Sequence, residues 1–302
     1  MEQLRTPDGC RYEYEYTDSG VRIVSYHGQK SVLEIPDTIG GKPVTELYKK
    51  AFFNAKALRR IVVPESVNVI GDWAFAHCEE LREIRLACGD YDLGKAIFQE
   101  CGKLACIHLT DETTSEEDQR GFGSLLAAVC GILDAGYLFE LQKINDPEWL
   151  KLWDARLLSI LDTDDYEGYT NLLLCGEEDY GSKENDPAYF LMQKRKRKVR
   201  LAFLRLLYPK QLADANQEKL KTYLLEHTVG AESEESFLVL KEEHDEDKEY
   251  IRLFFDLGCI TEENFDRALE ITGEDHPQLK AYLLRYREES LGRQDFFAGL
   301  KL

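Results

Sequence analysis

The chain has 302 residues, 43% of them hydrophobic, and a net charge of −19, which describes a globular protein long enough for about two domains. So negative a surface repels phosphate backbones and anionic lipid and favours basic partners. The charge is uneven: 14 basic and 16 acidic residues precede Asp111, leaving 24 basic and 41 acidic behind it.

The opening residues, Met1 to Pro7, hold no apolar run of the kind a secretory signal needs, and the longest such run, Leu125 to Phe139, is broken by Asp134 and is too short to span a bilayer. A soluble, cytoplasmic protein with no membrane association is expected. Tyr12, Tyr14 and Tyr16 alternate with Arg11, Glu13 and Glu15, the period-2 pattern of a half-buried strand. Asp18-Ser19-Gly20 supplies a turn and Val21 to Tyr26 a returning strand. This hairpin is expected to cap the array that follows.

From Phe52 to Leu109 the same side chains return every 23 residues: Phe52, Phe75 and Phe98; Leu58, Leu81 and Leu104; Ile61, Ile84 and Ile107; Val63, Leu86 and Leu109. A fixed period of roughly 20 to 29 residues signals a solenoid of stacked rungs, none of which buries its inward face alone. The three phenylalanines are expected to form an aromatic spine. Pro36 and Pro64 end strands, since proline cannot donate to the ladder, and Gly40-Gly41-Lys42-Pro43 is read as a loop insertion. Ala87 to Tyr91 replaces the proline-containing turn, which suggests the array is ending.

The series Ala51-Phe52, Leu58-x-x-Ile61-x-Val63-Pro64, Val69-Ile70-Gly71-x-x-Ala74-Phe75-x-x-Cys78-x-x-Leu81-x-x-Ile84-x-Leu86 resembles the BspA-type leucine-rich repeat, over residues 10 to 110 or so. The leading Ile35-Pro36-Asp37-Thr38-Ile39 resembles that family's usual first rung. The resemblance implies a β-solenoid and a family that includes surface proteins binding host or partner proteins.

With Ile61 and Val63 inward, period 2 turns Arg60 and Val62 outward. The same step gives Val32 and Glu34, Glu83 and Arg85, and Cys106 and His108 as one candidate partner-binding strand face. Arg60 with Glu83, and Glu34 with Arg85, read equally well as cross-strand ion pairs. The eight cysteines show no CxxC pair. Cys78 and Cys101 recur with the repeat, so reduced core thiols are expected; stacked rungs would set them about one strand spacing of 4.8 Å apart, which makes a disulfide conceivable in an oxidising compartment but not needed.

Beyond about Ser115 the apolar spacing becomes helical, and roughly nine helices are expected. Asn145-Asp146-Pro147 and Asn185-Asp186-Pro187 read as N-caps with proline at the first helical position. Gly258 closes one helix and Thr261 opens the next. Leu220 to Leu225 returns as Leu279 to Leu284, and Tyr250 onward resembles degenerate ankyrin-type helix pairs without their Thr-Pro-Leu-His element. The apolar helix near Gly121 to Leu141 is expected to cap the last rung.

Lys194, Arg195, Lys196, Arg197, Lys198 and Arg200 form a basic run that could grip phosphate or nucleic acid. The plainer reading pairs it with acids such as Glu242 and Glu243, or makes it a solvated face. No phosphate loop, dinucleotide fingerprint, zinc-protease or esterase motif is complete, and the six histidines are scattered. The expectation is an α+β chain of two domains, an N-terminal β-solenoid at 1–112 and an acidic all-helical repeat or bundle at 113–302. It acts as a non-enzymatic protein-interaction scaffold, with no catalytic residue, cofactor or metal. A phospholigand or nucleic-acid binder and a hydrolase hidden in the helical half are the alternatives.

Overall fold

The computed structural model describes residues 1–87, 89–110, 115–139, 141, 147–169 and 186–291. They fall into two compact units, Met1–Arg156 and Leu157–Leu302. The first unit opens with strands β1 (Glu2–Arg5), β2 (Arg11–Tyr16) and β3 (Val21–His27), paired antiparallel in that order. The hairpin is as the alternating tyrosines foretell, with Tyr12 and Tyr14 buried; β1 adds a strand the sequence pattern did not announce.

The solenoid rungs follow. One side is a parallel sheet of β4 (Val32–Glu34), β7 (Arg60–Val62), β9 (Glu83–Ala87) and β11 (Cys106–Thr110). Leu33, Ile61, Ile84 and Ile107 stand directly opposite one another and are essentially inaccessible. Each such side chain contributes about 1.5–3 kcal/mol by leaving water. The other side continues the cap: β3 pairs in parallel with β6 (Lys42–Leu47), then β8 (Val69–Ile70) and β10 (Asp92–Leu93), while β5 (Thr38–Ile39) closes the expected insertion against β6.

Between the sheets the rings form the expected column. Phe52 and Phe75 stack at 5.2 Å and Phe75 and Phe98 at 5.6 Å; Tyr26 of the cap extends it at one end and Phe139 at the other. Rungs approach most closely beside Gly71 and Gly94, one period apart. A Cβ at Gly71 would lie 2.6 Å from the Lys49 nitrogen, and one at Gly94 2.3 Å from that of Asp72, so only glycine fits.

Helix α1 (Glu116–Cys130) packs on β11 and ends the array. Gly123 permits this, because a Cβ there would meet the Cys106 sulfur and the Ile107 carbonyl at 2.7 Å. The start of α2 (Pro147–Asp162) is tied by indole hydrogen bonds to α1, Trp153 Nε1 donating to the Leu125 carbonyl at 3.1 Å, and to the turn after α1, Trp149 Nε1 donating to the Leu138 carbonyl at 2.9 Å. The compact division thus falls later than residue 112, since α1 and most of α2 go with the repeats.

The second unit holds the end of α2 and then α3 (Pro187–Leu207), α4 (Asp214–Glu226), α5 (Glu235–Glu243), α6 (Lys248–Asp256), α7 (Glu262–Thr272) and α8 (Pro277–Tyr286). The described residues thus contain eight α-helices against the nine or so expected. Asp186 caps α3, accepting from the Ala188 nitrogen at 2.9 Å, Gly258 follows α6 at φ 77°, and the Thr261 nitrogen donates to Asn264 at 2.8 Å. The proposed cap at Asn145-Asp146 lies outside the described residues. Leu220 and Leu224 of α4 and their counterparts Leu279 and Leu283 of α8 are all fully buried, so the 59-residue echo marks equivalent inward positions. Helix α3 is the hub, touching α4, α5 and α6.

Candidate functional site

The outward face of the four-stranded sheet is in the register the repeat demands. Val32 faces Arg60, Arg60 faces Glu83 and Glu83 faces Cys106; Glu34 faces Val62, Val62 faces Arg85 and Arg85 faces His108. Val32, Glu34, Arg60 and Arg85 are exposed and Val62, Glu83 and His108 partly so. Cys106 is the exception. It is 7% exposed because α1 lies over it, its sulfur 3.8 Å from the Arg120 carbonyl, and so it belongs to the packing of α1 and not to the open face.

Arg60 Nε donates to Glu83 at 2.8 Å, as the pairing of columns suggests. The other suggested pair does not form: Val62 stands between Glu34 and Arg85. Among the described residues no carboxylate lies within ion-pair distance of the Arg85 guanidinium, nor of Arg59 or Arg82 beside the strands. Burial, the largest cause, holds the His108 imidazole below its ordinary value; Glu83 pulls the other way, and Arg85, Arg60 and Arg120 add to the lowering.

The turn side of the rungs shows a feature the sequence reading missed. Lys50, Trp73 and Ala96 form one column at φ near +55° and Asn54, His77 and Glu100 another. Phe53 and Trp73 are exposed there, with the Lys50 ammonium 5.2 Å from both ring centroids. The signal was the period itself, which places all six at equivalent rung positions.

The charges of the basic run are met by partners within the chain. Lys196 pairs with Glu242 at 2.5 Å and Lys198 with Asp165 at 2.7 Å, both lysines nearly inaccessible. Arg195 joins Asp165 at 2.8 Å, Arg200 grips Glu243 through two nitrogens, and the Lys194 ammonium sits 5.3 Å from the Phe190 ring centroid. Arg197 also has partners. The run lies on the hub helix, so its charges had to be matched by neighbours.

The candidate catalytic groups do not converge. His77 meets the Phe53 ring edge-on, while the Cys78 thiol turns inward to the Phe52 carbonyl at 3.2 Å. His244 stacks on Tyr250 at 3.5 Å, and its neighbour Asp245 instead meets His276 Nδ1 at 2.8 Å. Ser25 approaches His27 at 2.9 Å, yet its proton goes to Glu13 at 3.1 Å, an order unsuited to activating the serine. Burial pushes the Cys106 thiol up to about 11 and those of Cys130 and Cys259 to about 12, away from thiolate chemistry. Among the described residues no group of three or more His, Cys, Asp or Glu could hold a metal, and no helix is long and apolar enough to cross a membrane.

A family model for the BspA type leucine rich repeat region matches six copies over residues 33–122. Among solved structures, a leucine-rich repeat protein of T. pallidum is 32% identical over 34% of this chain and 49% of its own, with a TM-score of 0.27. A leucine-rich repeat protein from Bacteroides capillosus is 25% identical over 34% of this chain and 78% of its own, TM-score 0.31. A leucine rich cell surface protein from Faecalibacterium prausnitzii is 22% identical over 36% and 30%, TM-score 0.31. This chain therefore spans about half the length of the first of these, and curated proteins give no match. Residues 33–122 are BspA-type leucine-rich repeats.

Proposed function

We propose that the chain is a non-enzymatic interaction protein whose strand face docks a protein partner through Val32, Glu34, Arg60, Val62, Glu83, Arg85 and His108. Leucine-rich repeats are generally protein-interaction modules, and solenoids offer extended surfaces in place of deep reactive pockets. The observation that carries the reading is the in-register outward face, aliphatic at Val32 and Val62 and charged around them. The thiols of Cys106, Cys130 and Cys259, pushed up by burial, suit the cytoplasmic setting this reading assumes.

Affinity capture from the source organism tests it. The native chain should recover a defined protein, and Val62→Trp, which fills the face without entering the core, should lose it. Recovery of no protein, alongside a nucleotide or metabolite that raises the melting temperature, overturns the reading.

A further inference from the structure

The strand face has a charge opposite to that of the chain. Four of the seven arginines that precede Asp111, Arg59, Arg60, Arg82 and Arg85, lie on or beside it. Arg59 and Arg82 are one rung apart, joined through the Arg82 nitrogen and the Arg59 carbonyl at 2.8 Å. Of the carboxylates on or beside the face, Glu83 is engaged by Arg60 and Glu80 by Lys103, with Arg59 and Arg82 also holding the Glu80 carboxyl below the usual range, while Glu34 stands across Val62 from Arg85. Arg85 is exposed at the centre of the sheet.

Resting on the docking role proposed above, we infer that the partner presents an extended acidic peptide segment, its carboxylates gripped by Arg59, Arg82 and Arg85. A guanidinium matches a carboxylate with two parallel hydrogen bonds. Alternate residues of an extended chain recur every 6.7 Å or so and neighbouring rungs every 4.8 Å or so, so carboxylates two residues apart can reach arginines on successive rungs. The side chains between them point away from the sheet, so Val32 and Val62 lie against the aliphatic stems of the facing residues. A nucleic acid is the poorer fit: the outward strand positions carry no Phe, Tyr or Trp on which a base could stack, and a net charge of −19 repels a polyphosphate. A short peptide carries few charges and feels the local field within a Debye length of about 8 Å.

The experiment is fluorescence anisotropy on the full chain with a labelled peptide of alternating Glu and Val, about ten residues long and at about 50 mM salt. Its Lys–Val counterpart and a single-stranded oligonucleotide of similar length serve as comparison probes. The Glu–Val peptide should bind saturably, weaken with salt, and lose roughly tenfold or more in affinity when Arg82→Glu and Arg85→Glu are combined. The neutral pair Arg82→Gln with Arg85→Gln should lose less, and Arg5→Glu on β1 nothing. Absence of saturable binding, indifference to both double variants, or tighter binding of the oligonucleotide at the same arginines overturns the inference. Native capture separates the two failures: if Val62→Trp abolishes it and Arg82→Glu with Arg85→Glu does not, docking stands and the acidic partner falls.

Discussion

Phe75 sits between two stacked neighbours and is wholly inaccessible, so nothing nearby can relax into its place. Phe75→Ala should cost about 3–5 kcal/mol, read from the midpoint of urea unfolding at unchanged slope. Asp165 is a second sensitive residue. Burial alone would raise its carboxyl pKa, but hydrogen bonds from Lys198 and Arg195 prevail and hold it below the usual carboxylate value. Asp165→Ala takes the carboxylate from two cations, leaving the inaccessible Lys198 with the neutral Thr163 carbonyl, and should cost about 3–5 kcal/mol. Because the folded pKa is depressed, the contribution of Asp165 is present above its unfolded value of about 3.8 and is lost as pH falls through the lower folded one. The histidines behave likewise. Burial holds the imidazoles of His108 and His244 below 6.5, so each costs stability as pH drops beneath 6.5, where the unfolded chain takes up the proton first. Stability followed from pH 7 to about pH 5 should decline, and less so in His244→Phe, which keeps the stack on Tyr250.

At the scale of elements, repetition made the solenoid legible and its absence hid much of the helical unit. A period of 23 among β7, β9 and β11, lengthened by the loop insertion to 28 between β4 and β7, made legible which of their residues point inward, and with them the open face, because alternation leaves no freedom once one residue is placed. The same logic could not foresee Cys106, whose burial comes from α1, an element outside the period. Asp165 was equally invisible as the partner of Arg195 and Lys198, since it is some thirty residues away with no pattern to connect them. Even the left-handed columns at Lys50 and Asn54 were readable only as equivalence, because side-chain periodicity does not report backbone sign. Element geometry makes its own prediction at Gly123, where α1 touches β11. Gly123→Ala forces sulfur and carbonyl apart and should cost about 1–3 kcal/mol, and hydrogen exchange should quicken at the β11 amides while the β2–β3 hairpin keeps its protection.

For the molecule as a whole, the consequence of so few rungs is dependence on both ends. Solenoid stability is a sum of weak rungs and the interfaces between them, and four rungs leave each terminal interface a large share. The hairpin is more than a lid: β3 hydrogen-bonds in parallel to β6, Tyr26 begins the aromatic column, and Val21 and Ile23 are wholly buried. Removing residues 1–28 would bare the edge of β6 together with Val44 and Leu47, which the intact protein buries fully. An unpaired, flat apolar edge recruits another copy. The shortened chain should therefore unfold at lower denaturant and sediment as oligomers whose size grows with concentration, while an intact chain carrying Tyr26→Ala loses stability without the edge and stays the size of its parent. Equal destabilisation with no self-association in the shortened chain would mean that the first rung seals itself, and that the hairpin contributes only its share of buried area.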